Sequence, residues 1–177
     1  MNFDELKNKI ESAAKLAFTE MFEKHGSEGI YAFALHSDEG AMTVCPATNT
    51  VQYLASVEPA DQVAYYKFEP AEWNYEIQGA TKEFNEICKS LRAELAAHED
   101  DEEWFEGFQK SLYGLCVDVL EKLKNEGFFR KIVGKDIYLS FTVSEYEIER
   151  DEVKKIAARL NGNEYLSEYL DWVKTWR

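Results

Sequence analysis

The residues richest in possible chemistry are two carboxylates at helical spacing, Glu72 and Glu76, flanking Trp73 and Tyr75. Two carboxyls about 5–10 Å apart beside an aromatic platform are what a glycosidase-type hydrolase uses, one to donate a proton and one to activate water or attack. In a chain with 34 acidic residues the same pair arises with no catalytic role. Trp73 and Tyr75 would then pack a helical turn on a sheet while the glutamates face water. Glu72, Trp73, Tyr75 and Glu76 are therefore taken as a candidate binding site, and no catalytic residue is assigned.

Cys45, beside Pro46, lies within reach of His36 across a hairpin, the arrangement of a nucleophile and its base. A cysteine packed in a sheet is the commoner reading. There is no Gly-x-Ser-x-Gly elbow. His25, His36 and His98 are far apart, and no HxxxH or CxxC spacing occurs, so no metal site is assigned. The run Glu99 to Glu103 lacks the alternating Asp-x-Asp-x-Asp-Gly of a calcium loop and reads as an acidic helix start. Gly26-Ser27-Glu28-Gly29 precedes a strand and lacks a lysine, so it is no phosphate loop. No cofactor is expected.

Charge narrows the partners. Twenty Lys and Arg stand against 34 Asp and Glu, a net charge of −14. A field of that sign repels nucleic-acid phosphates and anionic membrane surfaces and attracts a basic protein. Three cysteines, Cys45, Cys88 and Cys116, form no disulfide framework, which fits a reducing compartment. The start, Met1-Asn2-Phe3-Asp4-Glu5, has neither the basic nor the apolar region of a signal peptide, and no apolar run approaches the ~18 residues of a membrane span. The expectation is a cytoplasmic protein. With 177 residues, 45% hydrophobic and 14% aromatic, residues 1–177 read as one globular domain that folds without metal or disulfide.

The elements that must position these residues follow from periodicity. Phe3, Leu6, Ile10, Ala13, Ala14, Ala17 and Met21 mark a first helix, capped by Asn2 and stopped at Gly26. Ile30 to His36 and Ala41 to Cys45 read as a hairpin, with Gly40 supplying positive φ and Pro46 ending the second strand. Thr48 to Val57 reads as a short helix, Val63 to Phe68 as a third strand, and Pro70 to Trp73 as a helical first turn. Two longer helices follow, one capped by Thr81, the other entered through the acidic run and ended at Gly127. Asp136 to Val143 is the fourth strand; a helix to Leu160 and a last one, capped by Asn163 and reaching Trp176, complete the chain. The class is α+β: a small, mostly antiparallel sheet of about four strands with helices packed on it.

The stretch Lys67-Phe68-Glu69-Pro70-Ala71-Glu72-Trp73-Asn74-Tyr75-Glu76, the opening helix, the strand Tyr31 to Leu35 with its Asp38-Glu39-Gly40 turn, and the late Ala158-Arg159-Leu160-Asn161 together resemble a bacterial domain-of-unknown-function family, number 4303. Its Pro-x-Glu-Trp-x-Tyr-Glu element is matched from Pro70 to Glu76, whereas Gly162 stands where proline is expected. The resemblance implies a single domain over most of the chain and carries over no catalytic residue.

The expected function is accordingly a non-catalytic protein-interaction module, of the immunity or antitoxin kind, that meets a basic protein partner. The alternative is a hydrolase using the carboxylates near Trp73. A third reading makes Tyr165, Tyr169, Trp172 and Trp176 an oligomer interface rather than core.

Overall fold

The first helix, α1, spans Phe3–His25 in the computed structural model, which describes residues 1–59, 62–144, 149–162 and 164–176. The Asn2 side chain accepts from the amides of Asp4 and Glu5 at 3.0 and 3.2 Å, satisfying donors left open at a helix start. The expected stop at Gly26 is displaced. Gly26 stays right-handed, the chain tightens into a 3₁₀ turn over Gly26–Glu28, and Gly29, at φ 75°, turns it into the sheet.

The sheet comprises β1 (Ile30–Asp38), β2 (Val44–Thr50), β3 (Tyr75–Glu76) and β4 (Tyr138–Ser144) in the order β3-β2-β1-β4. β1 pairs antiparallel with β2, β2 antiparallel with β3, and β1 parallel with β4. The protein is thus α+β, with a mixed, mostly antiparallel four-stranded sheet covered by helices. Central β1 is covered on both faces, which explains its unbroken apolar run.

The sheet departs from the expected boundaries in three places. β2 passes through Pro46 instead of ending there. The Pro46 carbonyl accepts from the Ile77 amide at 2.9 Å, so its missing N–H also faces the short edge strand and costs no bond to β1. Ala41, at φ 53°, takes the left-handed position of the hairpin loop expected of Gly40. Here the Asp38 carboxylate accepts from the Met42 amide and the Thr43 hydroxyl, which fixes the loop.

The third departure concerns Val63 to Phe68, which form a helix rather than a strand. β2 continues over residues 48–50, where a helix was expected, and only Val51–Leu54 are helical (α2). Val63–Phe68 form α3, and the missing strand is β3. The aromatic pattern from 63 to 68 suits either state. Tertiary contacts decide it: Asn49 donates to the Tyr66 carbonyl (3.1 Å) and Tyr31 to the Lys67 carbonyl (3.0 Å), satisfying acceptors at the end of α3. Pro70–Glu72 form a 3₁₀ turn with proline first, close to the helical turn expected.

α4 (Thr81–Ala96) starts one residue earlier than expected, with Ala80 at φ 46° in the cap position and Thr81 inside the helix. α5 (Glu102–Asn125) is capped by the Asp101 carboxylate. After Gly127 comes an unanticipated short helix, α6 (Phe128–Val133). α7 (Arg150–Leu160) and α8 (Glu164–Val173) complete the fold; the expected Asn163 cap lies outside the described residues.

One face of the sheet, with Phe33, Leu35, Leu139 and Phe141, packs on α1, α4, α5 and α6; Phe18 of α1 sits edge-on to Phe33 at 5.4 Å and Phe129 at 4.9 Å. The other face, with Tyr31, Ala34, Ala47 and Tyr138, packs on Phe68, Trp73, Tyr169 and Val173. Tyr169 therefore belongs to the core of this face, while Trp172 and Trp176 are partly buried against it. Behind the edge strand β4, the buried Asn161 side chain accepts from the Leu139 amide (2.9 Å) and donates to the Leu139 carbonyl (2.8 Å), pairing with the backbone as a neighbouring strand would. Among the described residues no helix is long and apolar enough to cross a membrane.

Candidate functional site

The segment from Glu69 to Glu76 crosses the sheet from one face to its edge, and this route separates the four residues singled out in the sequence. Trp73 is 3% exposed and packs edge-on against Tyr138 at 6.3 Å, on the α3–α8 face. Its indole N–H is buried with no hydrogen-bond partner among the described residues. Tyr75, two residues on, faces the other way: a strand would put residues two apart on one face, but Trp73 lies ahead of β3, and the turn at Asn74 reorients the chain between them. It stacks on His25 at 4.0 Å and donates to the Glu28 carboxylate at 2.7–2.8 Å. Desolvation first and Glu28 second push its phenol up to about 12. Glu72 accepts from Tyr65 at 3.0 Å. Glu76 is partly buried, and this desolvation, with Glu72 adding repulsion, raises its pKa. Glu72 and Glu76 thus feel each other, but Trp73 and Tyr75 form no common platform between them.

In this segment the carboxyl that lines a cavity is Glu69, which carries no sequence signal of a site beyond its place before Pro70. Glu69 precedes Pro70 and so is held extended, at φ −95° and ψ 106°. That constraint was the available signal. A cavity of about 400 Å³ lies between β4 and α7–α8, with Glu69, Tyr138, Ser140, Tyr169, Trp172 and Arg150 among its walls. Burial raises the Glu69 pKa above the ordinary carboxyl range; the Ala71 amide opposes this, and Glu72 and Glu76 add to it.

His36 and Cys45 are paired across β1 and β2, as the hairpin reading allowed. They do not form a nucleophile and base. The Cys45 thiol is hydrogen-bonded to Cys88 of α4, and that bond, with burial, pushes its pKa up. Burial holds His36 neutral, its pKa pushed down to about 4 against the ordinary 6.5, with Asp38 opposing only in part. Because the unfolded chain takes up this proton first, stability falls as pH drops from 6.5 towards about 4. Urea titrations at stepped pH should show a loss of roughly 2–3 kcal/mol over this window from His36. His36→Gln should flatten that slope, and an unchanged slope would contradict the assignment. Among the described residues no three His, Cys, Asp or Glu side chains cluster as metal ligands.

A second concavity, about 770 Å³, runs between α5 and α7. Phe105, Val117, Phe141 and Ile156 line its apolar part, and Glu39, Glu102, Glu106 and Glu152 are its acids. Of its two basic residues, Arg159 is committed to Asp118 and Glu121 at 2.9 and 2.6 Å. Among the described residues no basic group lies within ion-pairing distance of Glu39, Glu102 or Glu106. Gly114 of α5 also lines the groove, and a Cβ built there meets nothing within 4 Å. A mid-helix glycine costs about 1 kcal/mol against alanine, so its presence without a steric reason was a cue in the sequence to this face.

A family model described as a domain of unknown function, DUF4303, matches residues 10–162. No curated protein and no solved structure matches the chain. The matched span takes in every strand of the sheet, the Glu69 to Glu76 crossing and the α5–α7 groove, and on that coverage the chain belongs to the DUF4303 family.

Proposed function

We propose that this protein is a non-catalytic interaction module that holds a basic segment of a partner protein in the groove between α5 and α7. The observation that carries the reading is the combination of an apolar floor with three acids, Glu39, Glu102 and Glu106, that have no basic partner among the described residues. An apolar side chain of the partner would fill the floor over Val117 and Phe141, and its lysines or arginines would meet Glu39, Glu102 and Glu106. The net charge of −14 adds long-range attraction, which raises association rates at low salt. Sequestering a basic toxin domain, as immunity and antitoxin proteins do, is a use this chemistry suits. The hydrolase alternative draws no support from Glu72 and Glu76, because no shared aromatic cleft lies between them.

The test must separate the groove from net charge. The probe is a labelled helical peptide with leucines on one face and lysines on the other. The charge reversal Glu102→Lys with Glu106→Lys should weaken binding at least about tenfold, a difference of 1.4 kcal/mol. The same reversal at the exposed Glu83 and Glu86 of α4 should change it less than about threefold. Gly114→Trp, which fills the groove, should also abolish binding. Equal losses from both charge reversals would show attraction to net charge alone and overturn the proposal.

A further inference from the structure

We propose that the cavity over β4, on the other side of α7 from the groove, is a binding site for a small alkylammonium compound, seated with its cation between the Glu69 carboxylate and the faces of Tyr169 and Trp172. This site is independent of the protein-binding reading.

Three observations converge on a cation. The first is the uncompensated acid. Glu69 receives a hydrogen bond from the Ala71 amide, and the charges that act on it, Glu72 and Glu76, have its own sign. No basic side chain among the described residues lies within ion-pairing distance of it. Arg150 lines the same cavity, but its guanidinium donates to the Trp176 carbonyl at 2.6 Å. A carboxylate drawn out of water and facing like charges is costly, and it is relieved either by a proton or by a bound cation.

The second observation is the wall. Phe68, Tyr138, Tyr169 and Trp172 form one ring cluster, with Phe68 centred 5.1, 5.5 and 5.8 Å from the other three in that order. Aromatic faces carry negative quadrupole charge and attract ammonium groups, most strongly where water is excluded. The cluster already attracts one such group. The Lys67 ammonium, paired with Glu168, lies 5.3 Å from the Phe68 centroid and 5.4 Å from that of Tyr165.

The third is size and polarity. A volume of about 400 Å³ suits a small ligand rather than a polypeptide segment. Besides Glu69 and Arg150, the polar groups include the hydroxyls of Ser140 and Thr142, presented by β4 on the same face as Tyr138. Aromatic walls, one acid without a cationic partner among the described residues, a few hydroxyls and a guanidinium turned to the Trp176 carbonyl favour an alkylated ammonium over a sugar, which needs a hydrogen-bond partner for each hydroxyl.

The experiment compares choline with 3,3-dimethylbutan-1-ol, which replaces the charged nitrogen by carbon at nearly the same shape. Binding is read by Trp fluorescence and by the indole N–H resonances of Trp172 and Trp176. Choline should bind saturably in the millimolar range or tighter, and the neutral alcohol about tenfold more weakly. Glu69→Gln, which keeps the shape, should weaken choline about tenfold, and Glu72→Gln should leave it within about threefold. No saturable binding by choline, equal binding of the alcohol, or undiminished binding by Glu69→Gln would each overturn the proposal. Retained tryptophan resonances in Glu69→Gln establish that the variant is folded.

Discussion

Replacing Asn161 by alanine should destabilise the protein by about 3–5 kcal/mol, a large part of the 5–15 kcal/mol that holds a domain of ordinary stability together. Asn161 is 1% exposed, and its amide makes three hydrogen bonds: from the Leu139 amide, to the Leu139 carbonyl, and to the Ala157 carbonyl at 3.2 Å. Alanine removes all three and leaves the Leu139 amide and carbonyl buried without partners, each costing about 1–3 kcal/mol. Asn161→Asp should be similarly severe. One carboxylate oxygen can still accept from the Leu139 amide, but the other meets the Leu139 carbonyl where a donor stood. Urea unfolding followed by far-UV circular dichroism measures both. A loss below about 1 kcal/mol for alanine would mean that water replaces the amide without penalty.

Gly79→Ala should cost about 3 kcal/mol or more, and its origin can be separated by a second glycine. Gly79 sits at φ 95°, and a Cβ there would lie 2.9 Å from the Cα and the carbonyl oxygen of Ala17, in the buried middle of α1. Backbone cannot move aside as a side chain can, so the 77–80 loop would have to lift from α1. The Ala80 amide, which donates to Glu20 of α1 at 2.9 Å, would be pulled away with it. Gly134, at φ 84°, has a similar backbone but nothing within 4 Å of its Cβ position. Gly134→Ala should therefore show only the left-handed penalty of roughly 1–2 kcal/mol. The difference between the variants, measured in one urea series, is the steric part. Equal losses would show that α1 and the loop are not in firm contact.

What could be read from the sequence follows the range of the interactions. α1, α4, α5 and α7 announce themselves through apolar spacing, because their buried faces repeat every three or four residues. β1 and β4 carry apolar runs because the sheet is covered on both faces. Val63 to Phe68 misled, because its state is settled by Tyr31 and Asn49, which are distant in sequence and satisfy the last carbonyls of α3. β3 was missed because two residues hold no period. In the candidate site, Glu72, Trp73, Tyr75 and Glu76 were conspicuous by type, yet the turn at Asn74, between Trp73 and the start of β3, sends the two rings to opposite faces. Glu69 was inconspicuous by type, and only the packing of α7 and α8 over β4 makes its surroundings unusual. The acids of the groove come from the β1–β2 loop, α5 and α7, a convergence that no local pattern encodes.

The clasp of Asn161 on Leu139 also governs what the sheet can recruit. A fifth strand, from another copy or from a partner, needs a run of unclaimed amides and carbonyls along a margin. On the β4 margin the Leu139 pair is already claimed from within. On the opposite margin β3 offers only two residues before Ile77, at φ 56°, veers the chain away. Templated growth of the sheet is thereby interrupted at Leu139 on one margin and confined to two residues on the other. Chains that polymerise edge to edge would first have to open α7 from β4.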